Sequence, residues 1–379
     1  MYDCIVIGSG FAGATAADIL AREKGKKVLV IERRNHIGGN CYDVRDEHGI
    51  LIHQYGPHIF HTNNREVYEY LSRYTEWYEY SHEVAGYIGG EYMPVPFNLN
   101  TLKQVYGDEK AELLEKKLKD TYGEGNRVPI LELRKSGDAD IRHIAEFVYN
   151  NVFLKYTMKQ WGQKPEEIDP AVTGRVPVLI SHDNRYFQDK YQGMPLEGYT
   201  PVFEKMLSHE NIDVLTGTDA LSVLQFEEDK ILYKGQEFKG TVIYTGAIDE
   251  LFSCRYGRLP YRSLEFQFEY FDRDEYQPKA VVNYTVSEEF TRITEFKKLT
   301  GQKADGTTIM KEYPKVYTGE NGQIPYYAII NEENNKLYEK YKQLAQRYKN
   351  MYLLGRLAEY KYYNIDAIVA RALETAGNI

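Results

Sequence analysis

Cysteine is scarce in this chain. The three copies, Cys4, Cys41 and Cys254, are widely spaced and form no CxxC pair. The sequence therefore carries neither a disulfide framework nor a zinc-binding spacing, and no metal site is expected. Long apolar runs are missing too: nothing approaches the ~18 consecutive apolar residues of a membrane span. The chain opens on a strand-like segment, residues 2–7, where a signal peptide would carry a basic region, so a cytoplasmic location is expected. Positive charge is in deficit, 47 Lys and Arg against 56 Asp and Glu, for a net charge of −9. A field of that sign repels nucleic acid and anionic membrane, so neither is expected as a partner. An anionic small ligand would need its own local arginines. There is also no internal repeat and no low-complexity segment.

What is present is an ordinary folded composition, 42% hydrophobic and 27% charged, in 379 residues, enough for two or three domains. Tyrosine is the exception, with 35 copies. Its flat apolar face and hydroxyl suit a pocket that stacks rings and bonds hydroxyls, but half-buried packing and interfaces use the same properties. Composition does not decide between them.

Residues 2–7 read as a buried strand, 11–24 as a helix rich in Ala12, Ala14, Ala16 and Ala17, and 27–32 as a second strand: a βαβ unit. From Leu99 to about Phe153 the pattern is helical. Stretch 108–119, with Leu113, Leu114 and Leu118 at helix spacing, predicts a helical insert. The runs 241–244, 263–270 and 280–286 are rich in β-branched and aromatic residues and predict a sheet, and 301–308 a surface hairpin or loop. Near the end, 351–354 predicts a short strand and 366–376 a helix, which return the chain to its first domain.

Gly8-Ser9-Gly10-Phe11-Ala12-Gly13 follows the first strand directly and opens the Ala-rich helix, the context in which GxGxxG carries information. Gly8 permits a tight turn, Gly10 lets the backbone approach a pyrophosphate, and Gly13 allows close helix-to-strand packing. The helix start adds amide donors and a positive dipole end. Glu32 closes the second strand, where a carboxylate accepts hydrogen bonds from ribose hydroxyls, which favours FAD or NAD over NADP.

The segment from Glu32 through Arg33, Arg34, His36, Gly38 and Gly39 to Asn40 resembles the second flavin motif of glutathione-reductase-like and amine-oxidase-like flavoproteins, with Gly-Gly-Asn in place of Gly-Gly-Arg. Tyr55-Gly56-Pro57-His58-Ile59-Phe60-His61-Thr62 follows. Further along stand Phe153-Leu154-Lys155-Tyr156-Thr157 with Trp161, Gly174-Arg175-Val176-Pro177, Arg185-Tyr186-Phe187-Gln188, Val282-Asn283-Tyr284, Phe290-Thr291-Arg292 and Gly355-Arg356-Leu357. In this order they cover nearly the whole chain, which resembles the UDP-galactopyranose mutase family.

That resemblance implies an α/β fold class: a Rossmann-like FAD-binding domain with a helical insert and an antiparallel β-sheet substrate domain. The expected division is 1–76, 196–256 and 340–379 for the FAD domain, and 98–176 for a helical domain carrying a mobile lid. Segments 77–97, 177–195 and 257–339 would form the substrate sheet. The implied reaction interconverts UDP-galactopyranose and UDP-galactofuranose without net redox, N5 of the reduced flavin attacking the anomeric carbon with UDP as leaving group. NAD(P)H or another reductant would prime it, the enzyme would be a homodimer, and the product would supply galactofuranose for cell-surface glycans.

By the same resemblance, FAD contacts fall on Gly8, Gly10, Phe11, Ala12, Gly13, Glu32, Arg33, Gly38, Gly39, Asn40, His58, Ile59, Arg356, Tyr362, Asn364, Ile365 and Asp366. Arg175 on the lid and Arg292 on the sheet would clamp the diphosphate, a task that bidentate guanidinium groups suit. Tyr156 and Phe187 would sandwich the uracil, with Phe153, Thr157 and Trp161 beside them. Tyr186, Tyr327, Tyr362 and Asn283 would make polar contacts. His58 is open between proton transfer and shaping the pocket through its backbone, and the same holds for His61 and His82. Lys361 stands where the family commonly has Arg, and Tyr363-Asn364 where it has Leu-Asp, so a carboxylate contact to the sugar lacks its carboxylate. The rivals are an amine-oxidase-like FAD oxidoreductase, which shares the N-terminal motifs, and a non-catalytic nucleotide-sugar or flavin sensor.

Overall fold

The structure, a computed structural model, describes residues 1–161 and 177–379. A five-stranded parallel sheet runs in the order Ile212–Leu215, Val28–Ile31, Cys4–Ile7, Thr241–Tyr244, Met351–Leu353. Its central strands are apolar throughout because both faces are covered. Cys4, Val6, Val28 and Val30 face a core shared with helix Phe11–Arg22 and helix Ile365–Gly377. Ile5, Ile7, Leu29 and Ile31 face the other way, onto Leu224, Ile231 and Phe238. The chain builds outward from Cys4–Ile7 to one side and later returns to the other, so the strand order reverses beside Cys4–Ile7. Ligands in such sheets bind at the carboxyl ends of the strands flanking that reversal.

A seven-stranded sheet runs Tyr327–Ala328, Tyr261–Phe271, Thr307–Val316, Arg292–Glu295, Val281–Tyr284, Val84–Ile88, Glu91–Val95. It is antiparallel except for Val281–Tyr284 beside Val84–Ile88. The run 241–244 does not join it: this segment pairs in parallel with Cys4–Ile7. A three-stranded sheet of Phe60–Thr62, Tyr191–Pro195 and Trp77–Glu79 is separate from both.

The helical insert forms where expected. Asn98 caps Leu99–Tyr106 through a capping box, Asp138 caps Ala139–Val148, and both accept first-turn amides. In helix Asp108–Tyr122, Leu114 and Leu118 are buried, but Leu113 points to solvent. Strand Pro177–Leu179 pairs with Arg127–Pro129, and Val178 and Ile180 pack into this unit's core.

One buried carboxylate ties the first domain together. Asp18 accepts from Tyr70 and Tyr74 hydroxyls at 2.9 and 2.6 Å and from Arg22 Nε at 2.9 Å. It thereby fixes the segment from helix Arg65–Leu71 to Tyr74 against helix Phe11–Arg22. Asp18→Ala leaves two buried hydroxyls without their acceptor, an expected loss of about 2 to 4 kcal/mol. A lower urea midpoint at unchanged slope is the expected result.

Candidate active site

The first cleft, about 290 Å³, opens at the carboxyl ends of strands Cys4–Ile7 and Thr241–Tyr244. Gly8 turns with φ +99°, and a Cβ there would lie 2.1 Å from Thr245 Oγ1. A Cβ at Gly13 would lie 1.9 Å from the Gly8 carbonyl oxygen, so the helix rests on the turn at a distance only glycine permits. No side chain caps the start of helix Phe11–Arg22, which leaves that end suited to an anion. The turn at Gly38 and Gly39 faces Gly10 with no side chain between. Glu32 Oε2 accepts from the Ser9 amide and hydroxyl at 2.9 and 2.7 Å, while Oε1 takes the Arg34 amide at 2.9 Å. These residues fit a dinucleotide: glycine turns and a helix end for the pyrophosphate, and a carboxylate at the end of the second strand for a ribose.

The second cleft, about 390 Å³, adjoins the first, and Asn40, His58, Arg356, Asn364 and Ile365 line both. Arg127, Arg292 and Arg356 face it with Glu312 as the one carboxylate among its described lining residues. Arg292 Nε donates to Glu312 Oε2 at 2.7 Å from the paired register position on the next strand, and this carboxylate is fully buried. The bond sets the plane of the guanidinium. Arg356 Nε donates to the Tyr363 carbonyl at 2.6 Å, and its guanidinium lies over the Tyr362 ring at 4.5 Å. Tyr362 in turn stacks loosely on Tyr327, at 6.2 Å between centroids. Burial pushes the Tyr327 hydroxyl up to about 12, so it is protonated and can donate. Helix Ile365–Gly377 starts at Asn364 with no side-chain cap, a second positive dipole end at the junction of the clefts.

Burial pushes His53, His58 and His82 each down to about 3, so these rings are neutral at pH 7. For His58, the neighbouring His53, Arg356 and Arg292 add to the effect. Its Nδ1 lies 2.8 Å from the Gly56 carbonyl, which can only accept, so Nδ1 carries the hydrogen and Nε2 is left as an acceptor. The His58 amide donates to His53 Nδ1 at 3.1 Å. His58 in this state can accept a hydrogen bond or a proton at Nε2 but has no proton there to give.

Of the expected cofactor contacts, Gly8, Gly10, Phe11, Ala12, Glu32, Arg33, Gly38, Gly39, Asn40, His58, Arg356, Asn364 and Ile365 line the first cleft. Gly13 packs beneath it. Ile59 and Tyr362 line the second cleft instead. Asp366 lines neither: Oδ2 accepts from Thr62 at 2.9 Å and Oδ1 from the Ala367 amide. Of the substrate set, Tyr186, Phe187, Asn283, Arg292, Tyr327, Tyr362 and Asn364 meet in the second cleft. Phe153 is buried in the helical core and Thr157 is buried nearby on helix Lys155–Trp161, neither of them on the cleft wall. Arg175 lies outside the described residues, as do the side chains of Tyr156 and Trp161. Sequence reasoning passed over Ser9, Arg34, Arg127, Thr245 and Glu312. Only Ser9 and Arg34 stand inside quoted motifs that could have flagged them as contacts.

Fold and clefts together define a dinucleotide-binding enzyme with a second, arginine-lined ligand cleft against the cofactor site. The family model for UDP-galactopyranose mutase matches residues 151–362, and one for an NAD(P)-binding Rossmann-like domain matches 6–74. A probable UDP-galactopyranose mutase of Klebsiella pneumoniae is 38% identical over 98% of this chain and 93% of its own. A dTDP-fucopyranose mutase of Escherichia coli is 36% identical over 99% and 98%. The crystal structure of a reduced UDP-galactopyranose mutase superposes with TM-score 0.74 at 16% identity, covering 100% of this chain and 95% of that one. Flavin-containing amine oxidase A of Bos taurus matches over 65 residues, 17% of the chain. The chain belongs to the UDP-galactopyranose mutase family, a family of isomerases.

The three neutral histidines set a pH dependence. Their folded pKa lies below the unfolded value near 6.5, so between about 3 and 6.5 the unfolded chain binds more protons and stability rises with pH. Unfolding free energy is expected to be flat above pH 7 and to fall below about 6.5, each histidine contributing up to about 1.4 kcal/mol per pH unit. Urea titrations from pH 8 to 5 check this, and His82→Asn should show the shallower slope.

Proposed function

We propose that this protein interconverts UDP-galactopyranose and UDP-galactofuranose by ring contraction without net redox, with FAD in the first cleft and the nucleotide sugar in the second. The observation that carries this reading is the wall the clefts share: a ring system seated at Asn40, His58, Arg356 and Asn364 faces whatever the arginine-lined cleft holds. A reduced flavin bound there would supply a nucleophilic ring nitrogen, N5, to the anomeric carbon, with UDP as leaving group.

The chain's own residues do the rest. Arg292, its plane held by Glu312, stabilises the departing diphosphate, and the protonated hydroxyl of Tyr327 adds a donor. Arg175 completes the clamp in this reading, on sequence grounds alone. Neutral His58 offers Nε2 as an acceptor and adds no positive charge beside the flavin. The helix start at Asn364 favours negative charge on the reduced ring. We assign the FAD and substrate units as the sequence divides them, except that strand Pro177–Leu179 goes to the helical unit it pairs with, and Trp77–Glu79 and Tyr191–Pro195 go to the first unit, whose strand Phe60–Thr62 shares their sheet. A homodimer in the cytoplasm, NAD(P)H as reductant and a product destined for cell-surface glycans belong to the same proposal.

A second reading rests on the full-length similarity to dTDP-fucopyranose mutase. It keeps the chemistry and changes the ligand, to a thymidine diphosphate 6-deoxy sugar. The amine-oxidase alternative has support only over the 65 matched residues.

The test is to purify the protein, record its flavin spectrum, and follow both UDP-galactofuranose and dTDP-fucofuranose by chromatography before and after dithionite. Conversion of the UDP sugar only in the reduced state is expected. Equal rates in both redox states would sink the reading, and preference for the thymidine sugar would select the second. Arg292→Ala should lower turnover about a hundredfold, roughly 3 kcal/mol. Arg292→Lys, which leaves Glu312 paired but lacks the planar fork, should fall between. Normal turnover in Arg292→Ala would remove this residue from the clamp.

A further inference from the structure

His53 is a polar residue in an apolar place. It ends strand Leu51–His53 and is buried, its ring at right angles to Tyr199 with centroids 5.6 Å apart and tilted against Phe296 at 5.8 Å. Nε2 has no hydrogen-bond partner among the described residues. A phenylalanine would fill a space of this kind without burying a lone donor, so packing does not account for the imidazole. The bond that the ring does make is at its other nitrogen. Nδ1 accepts from the His58 amide at 3.1 Å, which places the ring hydrogen on Nε2. His53 has no part in the chemistry argued above.

That bond fixes a peptide plane. Gly56, at φ +95°, turns the chain back so that the amide of His58 reaches His53. The His58 Nδ1 bond to the Gly56 carbonyl braces the same turn. The Pro57–His58 peptide is trans, so with its N–H turned inward onto His53 the Pro57 carbonyl points the opposite way. His53 lines neither cleft, whereas Pro57 lines the second and His58 lines both. The carbonyl is therefore directed out of the core toward the junction of the clefts, and it accepts no hydrogen bond from the described residues. Resting on the assignment of the clefts to a flavin and a nucleotide sugar, we propose that His53 is a positioning residue. Through the His58 amide it holds the Pro57 carbonyl as a fixed acceptor for an N–H or O–H donor at that junction. The donor has two sources, the flavin ring, which gains N–H groups on reduction, and the sugar, whose hydroxyls are the same in either redox state. An acceptor oriented before the ligand arrives acts without the cost of ordering the loop.

The test compares wild type, His53→Phe, His53→Asn and His53→Gln as flavin-loaded full chains, with flavin content checked by absorbance. Phe keeps a ring in the core and removes the acceptor. Asn carries Oδ1 the same number of bonds from the backbone as Nδ1, and Gln carries its oxygen one bond further out. The midpoint potential of the flavin is measured, together with the affinities of the oxidised protein for UDP and UDP-galactopyranose. With the flavin as donor, His53→Phe shifts the equilibrium about tenfold toward the oxidised form, about 30 mV for a two-electron couple. With the sugar as donor, Kd for UDP-galactopyranose rises about three- to tenfold while that for UDP is unchanged. His53→Asn should recover most of either change and His53→Gln should not, a contrast that holds even where His53→Phe fails to fold. A potential and a sugar affinity both unchanged in flavin-loaded His53→Phe and His53→Gln would overturn the proposal. So would His53→Asn no better than His53→Gln, which would leave His53 a packing role. A wild-type protein that takes up no flavin would overturn the assignment of the clefts themselves, a result separate from either of these.

Discussion

The distance at which helix Phe11–Arg22 rests on strand Cys4–Ile7 is the constraint on which the rest depends. A side chain at Gly13 would collide with the Gly8 carbonyl, so the contact exists only because Gly13 lacks a Cβ, while Gly8 supplies the φ of +99° that the turn needs. That contact aims the uncapped helix start at the first cleft. The same helix carries Asp18, whose buried carboxylate draws Tyr70 and Tyr74 onto it. It also packs against the closing helix, Ile365–Gly377, whose own start meets the second cleft.

Charge in this protein is arranged against its average. The chain as a whole is acidic, yet among the described residues three arginines line the second cleft beside one buried carboxylate, and that carboxylate is spent on fixing Arg292. His53, His58 and His82 are kept neutral by burial, so they add no charge that would vary near neutral pH. In the proposed reading a diphosphate would be met by groups whose protonation does not change. The tyrosine surplus is partly explained in the same place: Tyr55, Tyr186, Tyr326, Tyr327 and Tyr362 all line this cleft. Others, such as Tyr70, Tyr199 and Tyr341, are simply core.

Much of the cofactor cleft was legible in the sequence because its parts are local. A glycine turn between an apolar strand and a small-residue helix has few other uses, and Glu32 follows at the end of the next strand. The helical insert was legible in outline through its period, though Leu113 and Leu114 are adjacent in sequence and only one of them could face the core. Phe153 matched a family motif but packs among Val148, Tyr149 and Val152, since an aromatic residue in an amphipathic helix reads the same whether it lines a cleft or fills a core.

What the sequence by itself determined was the βαβ unit, the glycine turns and the family resemblance, because each rests on steric or hydrogen-bonding rules acting over a few residues or on ordered motifs. Only the tertiary structure decided which strands are neighbours. Thr241–Tyr244 satisfies the pattern of any buried strand, and its place beside Cys4–Ile7, more than 230 residues away, comes from the core that both helps to fill. The stack of His61 on Phe187, the pairing of Arg292 with Glu312 and the wall common to the two clefts arise in the same way. Side-chain types can be read from the chain, but their partners are set by long-range packing, for which local pattern holds no register.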